Sequence, residues 1–241
     1  MARDVALMLR ARKTGETTFS VYAWTQPTLS FGRNQPARGR YDLDRMQSLG
    51  IDAVRRPTGG RALLHHREVT YSVTAPIAEG DTLRASYERI NDILINGLLK
   101  LGVTANTAMP AGRAMLPDGT PCFAAPAQGE LIVEGRKLAG SAQWRHDGAL
   151  LQHGSILIED DQSMIGLLAL HPADHEEIPS PATLTESLGR EPQVNEIRNA
   201  LFDAVRERED PAATTLEESE VRGLTLAELP SFENELWTWR R

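Results

Sequence analysis

The chain has 241 residues and a mass of 26.6 kDa, with 41% apolar and 24% charged residues, a balance that excludes a disordered or fibrous protein. Its formal net charge of −7 and pI near 5.4 exclude a general nucleic-acid binder, whose affinity comes mainly from neutralising phosphates. With one cysteine, Cys122, the chain can form neither an internal disulfide nor a multi-thiolate zinc site.

No window approaches the ~18 apolar residues that span a bilayer. The opening MARDVALMLRARK carries charges where a signal peptide needs an uninterrupted apolar stretch. These features predict a cytoplasmic protein with no membrane association. At roughly 100 to 200 residues per domain, the length suits a single domain over 1–241.

In chain order, Val5, Met8 and Leu9 have the spacing of one helical face, and Thr14-Gly15 ends that helix. TTFSVYAWTQPTLSFGRNQ alternates β-branched and aromatic residues with polar ones, which predicts two strands joined by a turn at Gln26-Pro27. A short helix follows at Leu43 to Leu49, stopped by Gly50. IDAVRRPTGGRALLHHREVTYSVTAPI reads as strand, glycine loop and strand in a hairpin-like unit, with Val69, Tyr71 and Val73 sharing a face. TLRASYERINDILINGLLKLGV predicts a helix on Tyr87, Ile90, Ile93, Leu94, Gly97 and Leu98.

Proline, glycine and small residues dominate from Ala105 to Gln128, a long loop that contains Cys122. GELIVEGRKLAGSAQWRHDGALLQHGSILIE predicts a three-stranded meander, turning at Glu134-Gly135 and at His146-Asp147-Gly148. Helices are expected at Met164 to Leu170 and Val194 to Glu207, with a Pro-rich connection from His171 to Pro181. The acidic run from Glu207 to Glu220 reads as solvated surface or linker. The irregular mixture of elements predicts an α+β fold, with a mixed, largely antiparallel sheet flanked by helices.

Three stretches can carry chemistry. Arg55-Arg56-Pro57-Thr58-Gly59-Gly60-Arg61, continuing to His65-His66-Arg67, holds four arginines and no acidic residue. Paired glycines let backbone N–H groups approach an anion or carbonyl, and arginines offer forked donors. The alternative is a tight turn with exposed arginines. The stretch is neither a Walker loop nor a GxGxxG fingerprint. Cys122 is either a small buried hydrophobe or a nucleophile that needs a nearby cation such as Lys137. In GRKLAGSAQ and QHGS, small residues around Lys137 and His153 leave room for an extended acyl chain or nucleotide. A solvent-facing lysine and structural histidines at 65 and 153 are the alternatives. The absence of a G-x-S-x-G elbow argues against serine hydrolysis.

In combination, RRPTGGRALLHH, VTYSV, GRKLAGSAQ and LLQHGSIL resemble the catalytic domain of the biotin and lipoate protein ligase family, supported by WTQPTLSFGRNQ near the start. Arg61 after the glycine pair and Cys122-Phe123-Ala124-Ala125-Pro126 are closest to its cysteine-dependent octanoyl-[acyl-carrier-protein]:protein N-octanoyltransferases. The resemblance implies that Cys122 is the nucleophile and Lys137 contacts the acyl carbonyl. It implies that Arg55, Arg56, Gly59, Gly60 and His65 line the acyl or carrier entrance, with Gly140, Ser141, Ala142, His153 and Gly154 as the opposite wall. Arg55, Arg56, Arg61 and Arg67 would offer a basic docking patch.

The implied donor is octanoyl-acyl carrier protein. The implied acceptor is a lipoyl-accepting protein, either the glycine-cleavage H protein or a 2-oxoacid dehydrogenase lipoyl domain. No cofactor or metal is implied, and a monomer is the simplest expectation. An ATP-dependent lipoate-protein ligase, a lipoyl amidotransferase and a non-catalytic binder of acyl-carrier or lipoyl domains are the competing readings. The sequence departs from the pattern at His66, where the family usually has aspartate, and at Ala127, Gln128 and Gly129, which replace a bulkier stretch. Met1 also falls where the family has completed a first strand, so the chain is expected to start late or lack that edge strand.

Overall fold

A computed structural model describes residues 1–109, 122–123, 127–170 and 180–240. Helix α1 (Ala2–Thr14) ends at Gly15, whose φ of 75° lets its N–H cap the Ala11 carbonyl. Its buried face comprises Ala2, Asp4, Ala6, Leu7, Met8 and Ala11, whereas Val5 and Leu9 are half-buried. The expected face is therefore rotated. Small residues and a buried carboxylate line the actual one, which an apolar spacing rule does not register.

Strands β1 (Thr18–Tyr22) and β2 (Thr28–Phe31) are present, but they lie in different sheets rather than meeting across a turn. Helix α2 (Leu43–Ser48) starts at Asp42, whose carboxylate accepts the Arg45 N–H. Then come β3 (Asp52–Arg55), β4 (Leu63–His65) and β5 (Glu68–Pro76). The expected hairpin-like unit around the glycine loop is not formed, because β2 lies between β3 and β4, parallel to β3 and antiparallel to β4. All four β2 residues are buried. A fully buried central strand carries no alternation to reveal its partners.

After helix α3 (Leu83–Lys100) come β6 (Asn106–Thr107), β7 (Leu131–Val133), β8 (Arg136–His146) and β9 (Ala149–Leu157). The meander is as expected. Its turns carry positive φ at Glu134 and Gly135, and at Asp147 and Gly148, the backbone that two-residue hairpins favour. The larger sheet runs β1-β5-β9-β8-β7-β6 with every pairing antiparallel, and β3-β2-β4 forms a second, mixed sheet. The fold is thus α+β with a largely antiparallel sheet flanked by helices.

The chain continues through α4 (Met164–Leu168), α5 (Leu184–Leu188), α6 (Val194–Arg208), α7 (Glu218–Glu233) and α8 (Glu235–Thr238). Helices α3 and α6 cover one face of the large sheet, with Leu94, Leu98, Ile197 and Leu201 fully buried against Val69 and Tyr71. Each such side chain contributes about 1.5–3 kcal/mol of burial. Gly97 permits this approach, since a Cβ there would sit 2.6 Å from Leu201 Cδ2. Part of the acidic run expected as surface or linker instead begins α7, which packs along α1 through Val221 and Leu224 against Ala6 and Leu7. Most of the loop from Ala105 to Gln128 and most of the Pro-rich connection lie outside the described residues.

Strand β5 places Val69, Tyr71 and Val73 on the core face. Its other face, Glu68, Thr70, Ser72 and Thr74, is buried too, although polar. Buried polar groups are tolerated where they are hydrogen-bonded, as Thr70 Oγ1 is to Glu68 Oε1 at 2.7 Å, and helix α1 packs against this strand.

Candidate active site

Cys122 is pinned beside the glycine loop by its own N–H, which donates to the Ala62 carbonyl at 2.9 Å. Phe123 is buried against Leu63 and Leu157. Lys137, near the start of β8, has a side chain only 2% exposed, which removes the solvent-facing alternative. Its Nζ lies 3.6 Å from Cys122 Sγ, 2.6 Å from the Cys122 carbonyl oxygen and 2.8 Å from Glu130 Oε1. It also sits 4.8 Å above the Phe123 ring centre. The cysteine and lysine, 15 residues apart in sequence, meet across the opening strands of the meander.

Gly140 makes this meeting possible. A Cβ at that position would stand 3.0 Å from Lys137 Cε, 3.1 Å from its Nζ and 3.5 Å from Cys122 Sγ. Gly154, opposite Ser141 and Tyr71 in the sheet, has no more room, because a Cβ would lie 2.7 Å from Tyr71 Cε1 and 2.9 Å from Ser141 Oγ. Ser141 Oγ and Tyr71 OH are 2.5 Å apart, and Gln152 Nε2 donates to Tyr71 OH at 2.9 Å. Burial pushes the Tyr71 hydroxyl up to about 12, so this array is neutral. Ala142 faces His153 across the sheet and is half-buried.

The glycine loop departs from the picture of exposed arginines. Arg55 is fully buried, donating to the carbonyls of Gly32 (2.6 Å), Gln35 (2.7 Å), Trp237 (2.9 Å) and Arg240 (3.0 Å). Arg56 is 5% exposed and donates to Ser30 Oγ (2.8 Å) and to the carbonyls of Ser30, Gly59 and Arg61. The docking patch expected of Arg55 and Arg56 is corrected on this point, since both forks turn inward. The physical reason is that a guanidinium's five donors can satisfy loop carbonyls that no ladder reaches. Arg61 is half-buried, while Arg67 is exposed and pairs with Glu159. Gly59 and Gly60 present their backbone to solvent. Gly60 has a φ of 101° and packs against Gly32, where a Cβ would be 2.8 Å from the Gly60 carbonyl carbon.

His65 lies between Glu68 Oε1 (3.1 Å) and Ser30 Oγ (2.9 Å), stacked on Trp24 at 4.3 Å. The departure at His66 therefore leaves His65 with partners on both ring nitrogens. Glu68 supplies the carboxylate, and His66 points outward to Asp161 at 2.8 Å. His153 joins Asp4 Oδ2 (3.1 Å, through Nδ1) to Thr58 Oγ1 (2.7 Å, through Nε2), linking α1, β9 and the glycine loop.

Burial pushes His153 down despite the pull of Asp4. Burial alone would raise Asp4, but the N-terminal ammonium and the His153 hydrogen bond outweigh it and hold the carboxyl well below its usual range. The favoured state is an ionised Asp4 accepting from a neutral His153, which in turn accepts the Thr58 hydroxyl proton. Because the unfolded chain binds protons at both groups more readily, stability falls with acidification. A first loss is expected as pH drops below about 6.5, from His153, and a second below about 4, from Asp4. Denaturant melts across pH check this, and His153→Gln should remove the first step.

Among the residues brought together here, the sequence reading missed Glu130, Glu68, Asp4 and Tyr71 as members of the site. Glu130 and Lys137 flank one hairpin, in which Lys137 is the register partner of Ile132, and the signal that could have joined them is that Glu130 lies two residues before Ile132 and so shares its face. Among the described residues, no cluster of three or more His, Cys, Asp or Glu side chains could hold a metal ion, and no helix is long and apolar enough to cross a membrane.

The lipoyl protein ligase A/B catalytic domain family model matches residues 1–206. Octanoyltransferase LipM of Kyrpidia tusciae is 37% identical over 264 residues, covering 100% of this chain and 94% of the relative. Octanoyltransferase LipM of Symbiobacterium thermophilum is 40% identical over 219 residues, covering 83% of this chain and 78% of the relative. A lipoate-protein ligase A solved with ATP superposes with a TM-score of 0.80 at 22% identity, over 99% of this chain and 92% of that one. A bipartite lipoate protein ligase from Thermoplasma acidophilum gives 0.78 at 22% identity, over 99% and 89%. These two structures establish the shared fold. Matched along most of its length by the family model and end to end by a curated relative, the chain belongs to the lipoyl protein ligase A/B catalytic domain family.

Proposed function

We propose that the protein is a cysteine-dependent octanoyltransferase of lipoate assembly, which moves an octanoyl group from acyl carrier protein to a lysine of a lipoyl-accepting protein. The observation that carries this reading is the buried Lys137 Nζ 3.6 Å from Cys122 Sγ, in a chain 37% identical to an octanoyltransferase over its whole length. The acceptor is the glycine-cleavage H protein or a 2-oxoacid dehydrogenase lipoyl domain, and the reaction takes place in the cytoplasm.

In the first half-reaction the Cys122 thiolate attacks the carrier thioester. A new S–C bond forms, the carrier S–C bond breaks, and the carrier thiolate takes up a proton. One thioester replaces another of similar energy, so no ATP is consumed. In the second half-reaction the neutral ε-amine of the acceptor lysine attacks the acyl-cysteine. A C–N bond forms, Cys122 leaves, and the nitrogen's proton ends on the departing sulfur. The Lys137 ammonium is placed to donate to the oxyanion that develops in each step.

Gly140→Ala is expected to slow transfer about tenfold, equivalent to about 1.4 kcal/mol. The added methyl would crowd both Nζ and Sγ, while the strand can accept alanine. Steady-state transfer rates beside a thermal melt separate the two effects. Full activity in this variant would show that the space beside Gly140 is not used.

The function itself is tested by incubating the protein with octanoyl-carrier protein and an unmodified acceptor domain, without ATP. Acylation of the acceptor lysine is the expected result. Modification that requires ATP and free octanoate identifies a ligase, and transfer solely between lipoyl-accepting proteins identifies an amidotransferase. Binding without turnover identifies a non-catalytic relative.

A further inference from the structure

We propose that Glu130 is the positioning residue of this site, the group that pairs with the Lys137 head group and aims its Nζ at Cys122 Sγ. The inference rests on the octanoyltransferase reading for its consequence in turnover, but its geometry stands independently. Lys137 is 3% exposed as a residue, and a buried ammonium costs several kcal/mol unless it is paired and hydrogen-bonded. Glu130 supplies that pairing at 2.8 Å, from a side chain 9% exposed.

The geometry around Nζ matches the donors of the lysine head group. An ammonium has three N–H donors, and three acceptors surround this Nζ: Glu130 Oε1, the Cys122 carbonyl oxygen and Cys122 Sγ. The third and longest contact, at 3.6 Å, is the one directed at sulfur.

Glu130 is itself held from both ends. Its second carboxylate oxygen accepts the Ala127 N–H at 2.6 Å, its own N–H donates to the Ala127 carbonyl at 3.1 Å, and its carbonyl accepts from Ala108 N–H at 2.8 Å. The carboxylate therefore divides its labour, one oxygen on the backbone turn and one on the lysine. The small residues Ala127 and Gly129 stand in this turn, where Gly129 N–H donates to the Ala108 carbonyl at 3.1 Å. Gly129 takes a φ of 84° with its carbonyl held by Asn91 Nδ2 at 2.6 Å.

A positioning role acting through charge makes a prediction that a packing role does not. The rate of Cys122 alkylation by iodoacetamide is followed against pH in wild type, Glu130→Gln and Glu130→Asp, with folding checked by circular dichroism. Without the carboxylate, the buried lysine is favoured as a neutral amine and the positive charge beside sulfur is lost. In Glu130→Gln the alkylation profile should move about one unit to higher pH, and octanoyl transfer should fall at least tenfold. Glu130→Asp, which keeps the charge but shortens the reach, should be displaced less than Glu130→Gln.

A profile unmoved in Glu130→Gln, or moved to lower pH, would overturn the proposal. The proposal fails equally if Glu130→Asp is displaced more than the isosteric Gln, the order that packing alone produces. If Glu130→Gln does not fold, Glu130→Asp is compared with wild type alone. A displacement under half a unit supports the role, and a larger one contradicts it. Alkylation needs neither carrier nor octanoyl group, so a failure of the transferase reading would leave this test intact.

Discussion

Cys122→Ser is expected to lose octanoyl transfer by on the order of 10³-fold or more, the scale seen when a nucleophile is removed from a site that acts as a unit. A serine hydroxyl is far less ionised than a thiol near neutral pH, and one ammonium at 3.6 Å does not close that gap. The fold should be untouched. Cys122 is half-buried, its backbone N–H bonds Ala62 whatever the side chain, and the substitution changes a single atom. A thermal midpoint within a few degrees of wild type, beside lost transfer, is the combined expectation. Transfer retained in the serine variant would remove the covalent step.

The largest expected effect on stability is at Arg55. Arg55→Met keeps much of the volume and removes every donor. It strands carbonyls of Gly32, Gln35, Trp237, Thr238 and Arg240 in a fully buried site. Each unsatisfied buried group costs ~1–3 kcal/mol, offset where water can enter, so a total of about 4 kcal/mol is expected. For a chain of this size that lowers the midpoint by roughly 10 °C. The guanidinium bonds to the Trp237, Thr238 and Arg240 carbonyls are the ones lost, while the Trp237 Nε1 bond to the main-chain carbonyl of residue 55 remains, so the loss should loosen α8 and be visible as increased hydrogen exchange at 235–240. Arg55→Lys should rescue little, because a point ammonium cannot reach carbonyls spread around the edge of the planar guanidinium, at Nε, Nη1 and Nη2.

An inward-turned arginine of this kind marks the limit of what residue types and spacing reveal. Helices α3 and α6 and the β7-β8-β9 meander were legible because amphipathic spacing and positive-φ turns are local properties. The separation of β1 from β2 was not legible. Pairing is decided by which sheet completes the core, and β2 is buried on both faces. Helix α7 was hidden by its acidic composition, since Val221 and Leu224 are few, and their burial depends on α1 lying alongside.

In the site, Cys122, Lys137, Gly140 and Gly154 could be singled out by residue type and spacing, and the fold brings the first three within contact. The arginines could not be placed, because an RRPTGGR stretch is equally compatible with forks turned outward to an anion or inward to carbonyls. Glu130 was obscured for a related reason, as a glutamate at a strand boundary is ordinarily a solvated one.

The central claim, that the octanoyl group passes through Cys122, is tested most directly by intact-protein mass spectrometry after mixing with octanoyl-carrier protein in the absence of ATP. The covalent mechanism predicts an adduct of one octanoyl group on the wild type, none on Cys122→Ala, and discharge of that adduct when an acceptor domain is added. An adduct of equal yield on Cys122→Ala, or acceptor modification that proceeds in that variant at the wild-type rate, would contradict it.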